Sequence, residues 1–275
     1  MIWFDRQLSM RFSADSNGMR EVFGIRGEVF REPPGAGRRT LRFECDDVGY
    51  FLKLHWGVGW REIFKNLFAL RLPVLGAGNE WRAIQRLDDL GVETMQLAGY
   101  GEEGWNPARR RSFVITRELE DTISLEDYCL DWEVAPPRPA TKWALIRRVA
   151  EMSARMHAHG MNHRDLYICH FLLRRPWDGC PEGLHLHLID LHRVQIRSAV
   201  PQRWRVKDLA ALYFSALHVG LTRRDLLRFV RWYSGGRATD VLRGQEAGLW
   251  RQAEQRALHL DRTKPVVRGD RPNGN

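Results

Sequence analysis

The period of the apolar residues changes along the chain, and that change constrains the fold most. In "TLRFEC", Thr40–Cys45, the residues Leu41, Phe43 and Cys45 alternate with Arg42 and Glu44. In "YFLKLHW", Tyr50–Trp56, the residues Tyr50, Leu52, Leu54 and Trp56 share one face. A period of two marks half-buried strands. The turn-like Asp46-Asp47-Val48-Gly49 between them predicts an antiparallel hairpin. Lys53 then sits mid-strand, on the other face with Phe51 and His55.

Helical spacing enters with Trp60–Arg71, where Trp60, Ile63, Phe64, Leu67 and Phe68 form a stripe that Pro73 ends. Asn79 reads as the N-cap of a helix over Glu80–Leu90, with Gly91 as its stop. Glu80 shares the apolar face of Ala83, Ile84 and Leu87, and an acid on a buried face needs a partner. Ser112–Leu119 reads as a strand. Ser124 and Asp127 have capping-box spacing ahead of "LEDYCLDW". Beyond the Pro-rich connector Val134–Ala140 the chain turns mostly helical: Thr141–His159, closed by Gly160, and the stretch from Lys207 onward, broken at Gly220, Gly235 and Gly236. Leu184–Ile189 alternates once more and ends at Asp190. The order is α+β, with a small β-rich N-lobe over 1–116, a larger helical C-lobe over 117–262, and a loose tail over 263–275.

At 275 residues and 44% hydrophobic content the chain can build a real core. It has no apolar run of the roughly 18 residues that a membrane span needs. Asp5 and Arg6 interrupt what would have to be a signal region. Four cysteines without a CxxC pair read as thiols of a reducing compartment. A net charge of +9 favours anionic partners: nucleotide phosphates, an anionic membrane surface or an acidic protein. No nucleic-acid motif accompanies it.

Chemistry concentrates in "GMNHRDLYICHFLL", Gly160–Leu173. Its histidines and cysteine suggest zinc, yet the spacing lacks the paired His and Cys sets of zinc sites. A different set fits better. Lys53 is a mid-strand lysine, Glu80 an inward helical acid, Asp165 an aspartate after a helix, and Asp190 an aspartate ending a later strand. Phosphoryl transfer uses these types in this order. A lysine grips phosphates, an acid holds that lysine, one aspartate takes the acceptor's proton, and another carries Mg²⁺. Glu62 is a rival to Glu80, but Glu80 lies on its helix's apolar face. The set departs from protein kinases in three places. His170 stands where an asparagine ligand is expected, Asp190-Leu191-His192 replaces the DFG triplet, and only Gly24 and Gly27 precede Val29. Those glycines read equally as a turn or as a degenerate phosphate loop.

"NHRDLYICHFLL", "IDLHRVQIR", "RWRVKDLAALYFS", "ISLEDYCLDW" and "LPVLGAGNEWRAI" closely resemble the lipopolysaccharide core heptose(I) kinase family, from about Gly27 to Leu260. The resemblance implies a protein-kinase-like fold and an ATP- and Mg²⁺-dependent enzyme. Its expected substrate is the first heptose of the lipid-linked inner core, on the cytoplasmic face of the inner membrane. It implies Asp165 as base, Asp190 as Mg²⁺ ligand, and Lys53 with Glu80 at the phosphates; His170, a candidate metal ligand, is open between binding metal, binding phosphate and packing. It further implies adenine contacts in Thr116–Leu119, through Glu118 and Leu119, and Asp208 as a buried brace of the catalytic loop. A kinase for another core sugar and a pseudokinase binding module are the alternatives.

Overall fold

The computed structural model describes residues 1–32, 37–57, 59–60, 76–106 and 108–263. These form two compact units, one of residues 1–122 with 187–196 and one of residues 123–186 with 197 onward. The first is β-rich and the second helical.

Six strands of the first unit are β1 (Ile2–Phe4), β2 (Glu28–Arg31), β3 (Arg38–Cys45), β4 (Val48–His55), β5 (Leu97–Glu103) and β6 (Arg111–Arg117). They make one sheet in the order β1-β5-β6-β4-β3-β2, every neighbouring pair antiparallel. The hairpin is as expected, but its turn is shorter. Val48 and Gly49 belong to β4, and Asp46 and Asp47 turn the chain with φ of 51° and 60°. Two successive positive φ values match the twist of a two-residue hairpin, and aspartate tolerates them better than most residues. The period of two then does its work. Leu41, Leu52, Leu54, Phe113 and Ile115 are buried together on one face. Helix α1 (Ser16–Phe23), which the apolar pattern does not reveal, covers that core with Met19 and Val22.

The other face of the sheet receives helix α2 (Gly78–Asp89). Ala77, Tyr100 and Val114 form a small buried cluster there, with Trp81 stacked on Tyr100. Lys53 pairs with Val114 across the β4–β6 ladder, so it points to the same side. The helix starts one residue before Asn79, which is therefore not its N-cap; Ala77 holds that place and offers no capping side chain. Gly91, at φ 63°, follows the helix as expected. The Trp60–Arg71 helix, Glu62 and Pro73 fall on residues 61–75 and lie outside the described residues.

The second unit carries α3 (Leu125–Tyr128), α4 (Pro139–Ala158), α5 (Gln202–Ala216), α6 (Arg223–Ser234), α7 (Ala238–Arg243) and α8 (Ala247–Thr263). Ser124 caps α3 through the Asp127 N–H at 3.1 Å, but the helix stops at Tyr128, well short of Trp132. Pro139 opens α4, a position where its missing N–H costs nothing. Helix α5 is buried nearly all round, at Val206, Asp208, Leu209, Ala210, Ala211, Leu212 and Ala216. Such a helix is the core's centre, not an amphipathic cover. Ala150 of α4, Val206 and Leu209 of α5, Tyr233 of α6, and Leu249 and Ala253 of α8 meet in one cluster. Helix α6 starts with a full capping box, Thr222 with Asp225.

Candidate active site

Each unit holds its own part of the predicted set. In the first, β4 presents Lys53 and α2 presents Glu80. Glu80 is 1% exposed, and its Oε1 meets Lys53 Nζ at 2.6 Å. The pairing follows from the two periods: odd positions of β4 face the helix, and Glu80 lies on the helix's buried stripe. A buried carboxylate without a cation would cost several kcal/mol, roughly 3–5 when one partner of a pair is removed. Lys53 therefore has its position fixed by an acid that cannot leave it.

Asp190 follows the short strand Leu186–Leu188, whose Leu188 carbonyl accepts from the Thr94 hydroxyl at 2.6 Å. Asp190 itself is left-handed, φ 61° and ψ 49°. Such a conformation in a non-glycine residue costs roughly 1–3 kcal/mol and persists where surrounding contacts impose it. One contact is local: His192 Nδ1 lies 2.6 Å from Asp190 Oδ1. Another comes from Asn79, whose side-chain amide donates to the His192 and Val194 carbonyls at 2.9 and 2.8 Å. Asn79 thus ties the helix of Glu80 to the segment of Asp190. Its sequence signature, a capping residue next to a helix start, pointed to a different use of the same side chain.

Positive groups, and the Glu80 carboxylate paired with one of them, stand on the Lys53 side of β4. Burial, and then the charges of Arg38, Lys53 and His192, push the His55 imidazole down to about 4. His55 is neutral at pH 7, and cations gathered there favour a polyphosphate.

The remaining site residues of this unit are placed as follows. Gly24 closes α1, its N–H donating to Arg20 O at 3.0 Å. Gly27 precedes β2 with no room for a side chain, since a Cβ would lie 2.1 Å from Arg42 O. Glu118 donates its N–H to Gly49 O at 2.9 Å, and its carboxylate accepts from Arg42 Nε. Leu119 accepts from the Thr122 hydroxyl at 3.0 Å through its carbonyl.

In the second unit the loop of Asp165 is held from both sides. Asp208 of α5 is fully buried and accepts the His163 N–H at 2.6 Å and the Arg164 N–H at 2.8 Å. Arg164 has φ 75°, so the chain reverses just before Asp165. On the far side His170 Nδ1 lies 2.8 Å from the Asp165 carbonyl. A carbonyl only accepts, so Nδ1 carries the proton and Nε2 carries the lone pair. His170 also stacks on the buried His163, ring centroids 5.8 Å apart. Gly160 is required where it stands: its φ is 78°, and a Cβ would lie 1.8 Å from Arg197 O.

Behind Asp208 runs a polar chain that single-sequence patterns did not show. His157 Nε2 approaches Asp208 Oδ2 at 3.3 Å, and His157 Nδ1 meets the Tyr233 hydroxyl at 2.7 Å. Arg205 donates Nε to that hydroxyl at 3.2 Å and pairs with Glu246 at 2.7 Å. A neutral His157 satisfies every link: Nε2–H donates to Asp208, and Tyr233 O–H donates to Nδ1. Burial pushes the Tyr233 phenol up to about 12, so it remains a donor.

No three His, Cys, Asp or Glu side chains among the described residues gather to hold a metal ion by themselves. Mg²⁺ ordinarily takes one or two carboxylates plus phosphate oxygens and waters, so Asp190 is a suitable donor. The four cysteines form no disulfide, and burial raises the Cys129 thiol to about 12.

A lysine–glutamate pair on a sheet and helix, a left-handed aspartate after a strand, and an aspartate loop braced from a central helix are the parts of a kinase-like phosphotransferase. Comparison with known proteins agrees. Residues 20–233 match the lipopolysaccharide kinase (Kdo/WaaP) family, and the chain belongs to it. It is 55% identical over 240 residues to the lipopolysaccharide core heptose(I) kinase WaaP of Escherichia coli, covering 87% of this chain and 89% of that one. It is 53% identical over 239 residues to the protein of the same name in Pseudomonas aeruginosa, covering 87% and 88%. A solved structure, WaaP in complex with acyl carrier protein, superposes with a TM-score of 0.81 at 44% identity, over 94% of this chain and 99% of that one.

The field around Lys53 makes a prediction. In ¹H–¹⁵N spectra His55 should titrate near pH 4, well below the ordinary 6.5. A histidine depressed in the folded state costs stability as pH falls from about 6.5, the unfolded value, toward 4. Lys53→Met should shift the titration upward, and saturating ATP should do so in the wild type. A His55 that titrates normally, or ignores both changes, contradicts the field.

Proposed function

We propose that this enzyme transfers the γ-phosphoryl group of ATP to a hydroxyl of the first heptose of the lipopolysaccharide inner core. The observation that carries the reading is the Lys53–Glu80 pair, held in a family whose curated relatives bear that activity in their names. Lys53 binds the ATP phosphates and Glu80 keeps its ammonium in place. The backbone of Glu118 and Leu119 meets adenine, and Gly24 and Gly27 shape the entry to β2 beside the nucleotide. Asp190 would be the carboxylate ligand of Mg²⁺ and His170 a further donor; the ion, when bound, would screen the phosphate charge. Asp165 accepts the heptose hydroxyl proton; that oxygen bonds to the γ-phosphorus while the bond to the ADP oxygen breaks.

Asp165→Ala should lower phosphorylation of a defined heptose-containing core saccharide by at least ~10²-fold while nucleotide affinity stays within about twofold. Mass spectrometry of the saccharide reads one added phosphate on heptose with the wild type and none with the variant. Equal activity in the variant overturns the role of Asp165. Phosphate on another core sugar overturns the substrate.

No helix among the described residues is long and apolar enough to cross a membrane. The basic charge supports peripheral docking on the cytoplasmic face of the inner membrane. Flotation with anionic vesicles and none with neutral ones is the expected result; equal recovery with both removes this part.

The carrier protein in the solved relative supports an acidic partner for this chain too. The second unit contains a cavity of about 310 Å³, lined by apolar groups such as Val149, Leu212, Leu226 and Val230, with Arg223 and Arg251 beside them. An acyl chain gains about 0.8 kcal/mol per buried CH₂, and the arginines suit an acidic carrier. Calorimetry should give tighter binding of acylated than of unacylated carrier, and Leu212→Trp should remove the difference. Equal affinities in the wild type would exclude the cavity as an acyl site.

A further inference from the structure

Trp204, in the first turn of α5, is surrounded by four cations. The charged ends of Arg164, Arg197, Arg203 and Lys207 lie 5.6, 5.7, 5.8 and 5.5 Å from its ring centroid. An indole has two faces, and one cation–π contact is worth about 0.5–2 kcal/mol. Arg197 reports the crowding: burial, and then the charge of Arg203, lower its guanidinium from the ordinary value. The first turn of α5 carries no acidic residue, so its N–H dipoles add to the same sign. The Trp204 indole N–H is buried and meets no hydrogen-bond partner among the described residues. Arg205, the next residue, turns the other way to Glu246 and Tyr233, so the cluster is not a general feature of this helix.

The four cations come from three places in the chain, and one of them is the residue before Asp165. Arg164 has its backbone fixed by Asp208 at 2.8 Å, and Arg197 donates to the Asn162 side chain at 2.6 Å. The charges are therefore arranged around a rigid loop, not scattered over a solvated face. Forked guanidinium groups grip carboxylate or phosphate oxygens in pairs.

We infer that Arg164, Arg197, Arg203 and Lys207, arrayed around Trp204, form an anion-binding subsite that recognises a carboxylate or phosphate on the saccharide acceptor. The inference rests on the sugar-kinase reading and deepens it. It assigns acceptor selection to a charged group other than the hydroxyl that is phosphorylated. Anchoring that group one residue from Asp165 converts binding energy into alignment of the hydroxyl with the base.

Three acceptors test it: a defined inner-core saccharide, the same saccharide with its sugar carboxyls reduced to alcohols, and the same saccharide enzymatically dephosphorylated. With the wild type, one of the two stripped acceptors should show a KM raised about tenfold, which identifies the anion. The double variant Arg203→Gln/Lys207→Gln should show the same rise on the intact saccharide and no further rise on that stripped one. Its ATP KM should match the wild type, and Arg203→Lys/Lys207→Arg should restore the acceptor KM. A variant equal to the wild type on all acceptors overturns the subsite. So does a wild type that treats all three acceptors alike, a result that needs no variant to fold. Wild-type protein that phosphorylates no heptose acceptor at all removes the sugar-kinase reading, and the subsite with it.

Discussion

The carboxylate of Asp208 is the interaction on which the candidate site depends. It is fully buried in the central helix α5, and it is satisfied by two backbone N–H groups of an irregular loop, His163 and Arg164. A buried charge of that kind is tolerated only when its oxygens are hydrogen-bonded, and here the partners are the loop itself. The loop gains a fixed backbone, including the left-handed Arg164 that turns the chain toward Asp165. From the opposite direction His170 holds the Asp165 carbonyl. His157, Tyr233, Arg205 and Glu246 extend the bracing into the helical core. Asp208 and His170 both hold the backbone of the loop that carries Asp165.

The β-rich unit solves its own problem by the same physics. Glu80 is buried and therefore needs Lys53, and Lys53 is therefore held in one place. Asn79 joins the helix of Glu80 to the turn of Asp190 by two amide hydrogen bonds. Each unit thus carries a preorganised group set whose geometry is fixed before any substrate binds. Preorganised polar groups cost no reorganisation at the moment of reaction, and electrostatic catalysis draws most of its effect from that.

Much of this was legible in the sequence, and the limits were physical. The period of two in β3 and β4 marked both the core face and the opposite face, on which Lys53 lies. The period of the following helix put Glu80 on its buried side, and their pairing followed. The order of residue types along the chain brought Asp165 and Asp190 into view, and family resemblance added Asp208. Periodicity could not reveal Asn79, because its partners are carbonyls more than a hundred residues away. It could not fix the role of His170, whose Nδ1 bonds to a backbone atom that every residue possesses. It missed the Tyr233 chain and the cations around Trp204 for the same reason: both are assembled by tertiary structure from separate segments. The short helix α1 lies in a stretch whose apolar residues are too few to announce it.

The measurement that most directly tests the account is native-state hydrogen exchange at the amides of His163 and Arg164, made beside single-turnover phosphoryl transfer. With Asp208 intact these two loop amides should exchange as slowly as the core of α5, although they belong to no regular element. In Asp208→Asn their protection should fall, the chemical step should slow with it, and ATP affinity should hold. Amides that exchange freely in the wild type, or a chemical step that stays fast when their protection is gone, would contradict the claim that this carboxylate builds the site.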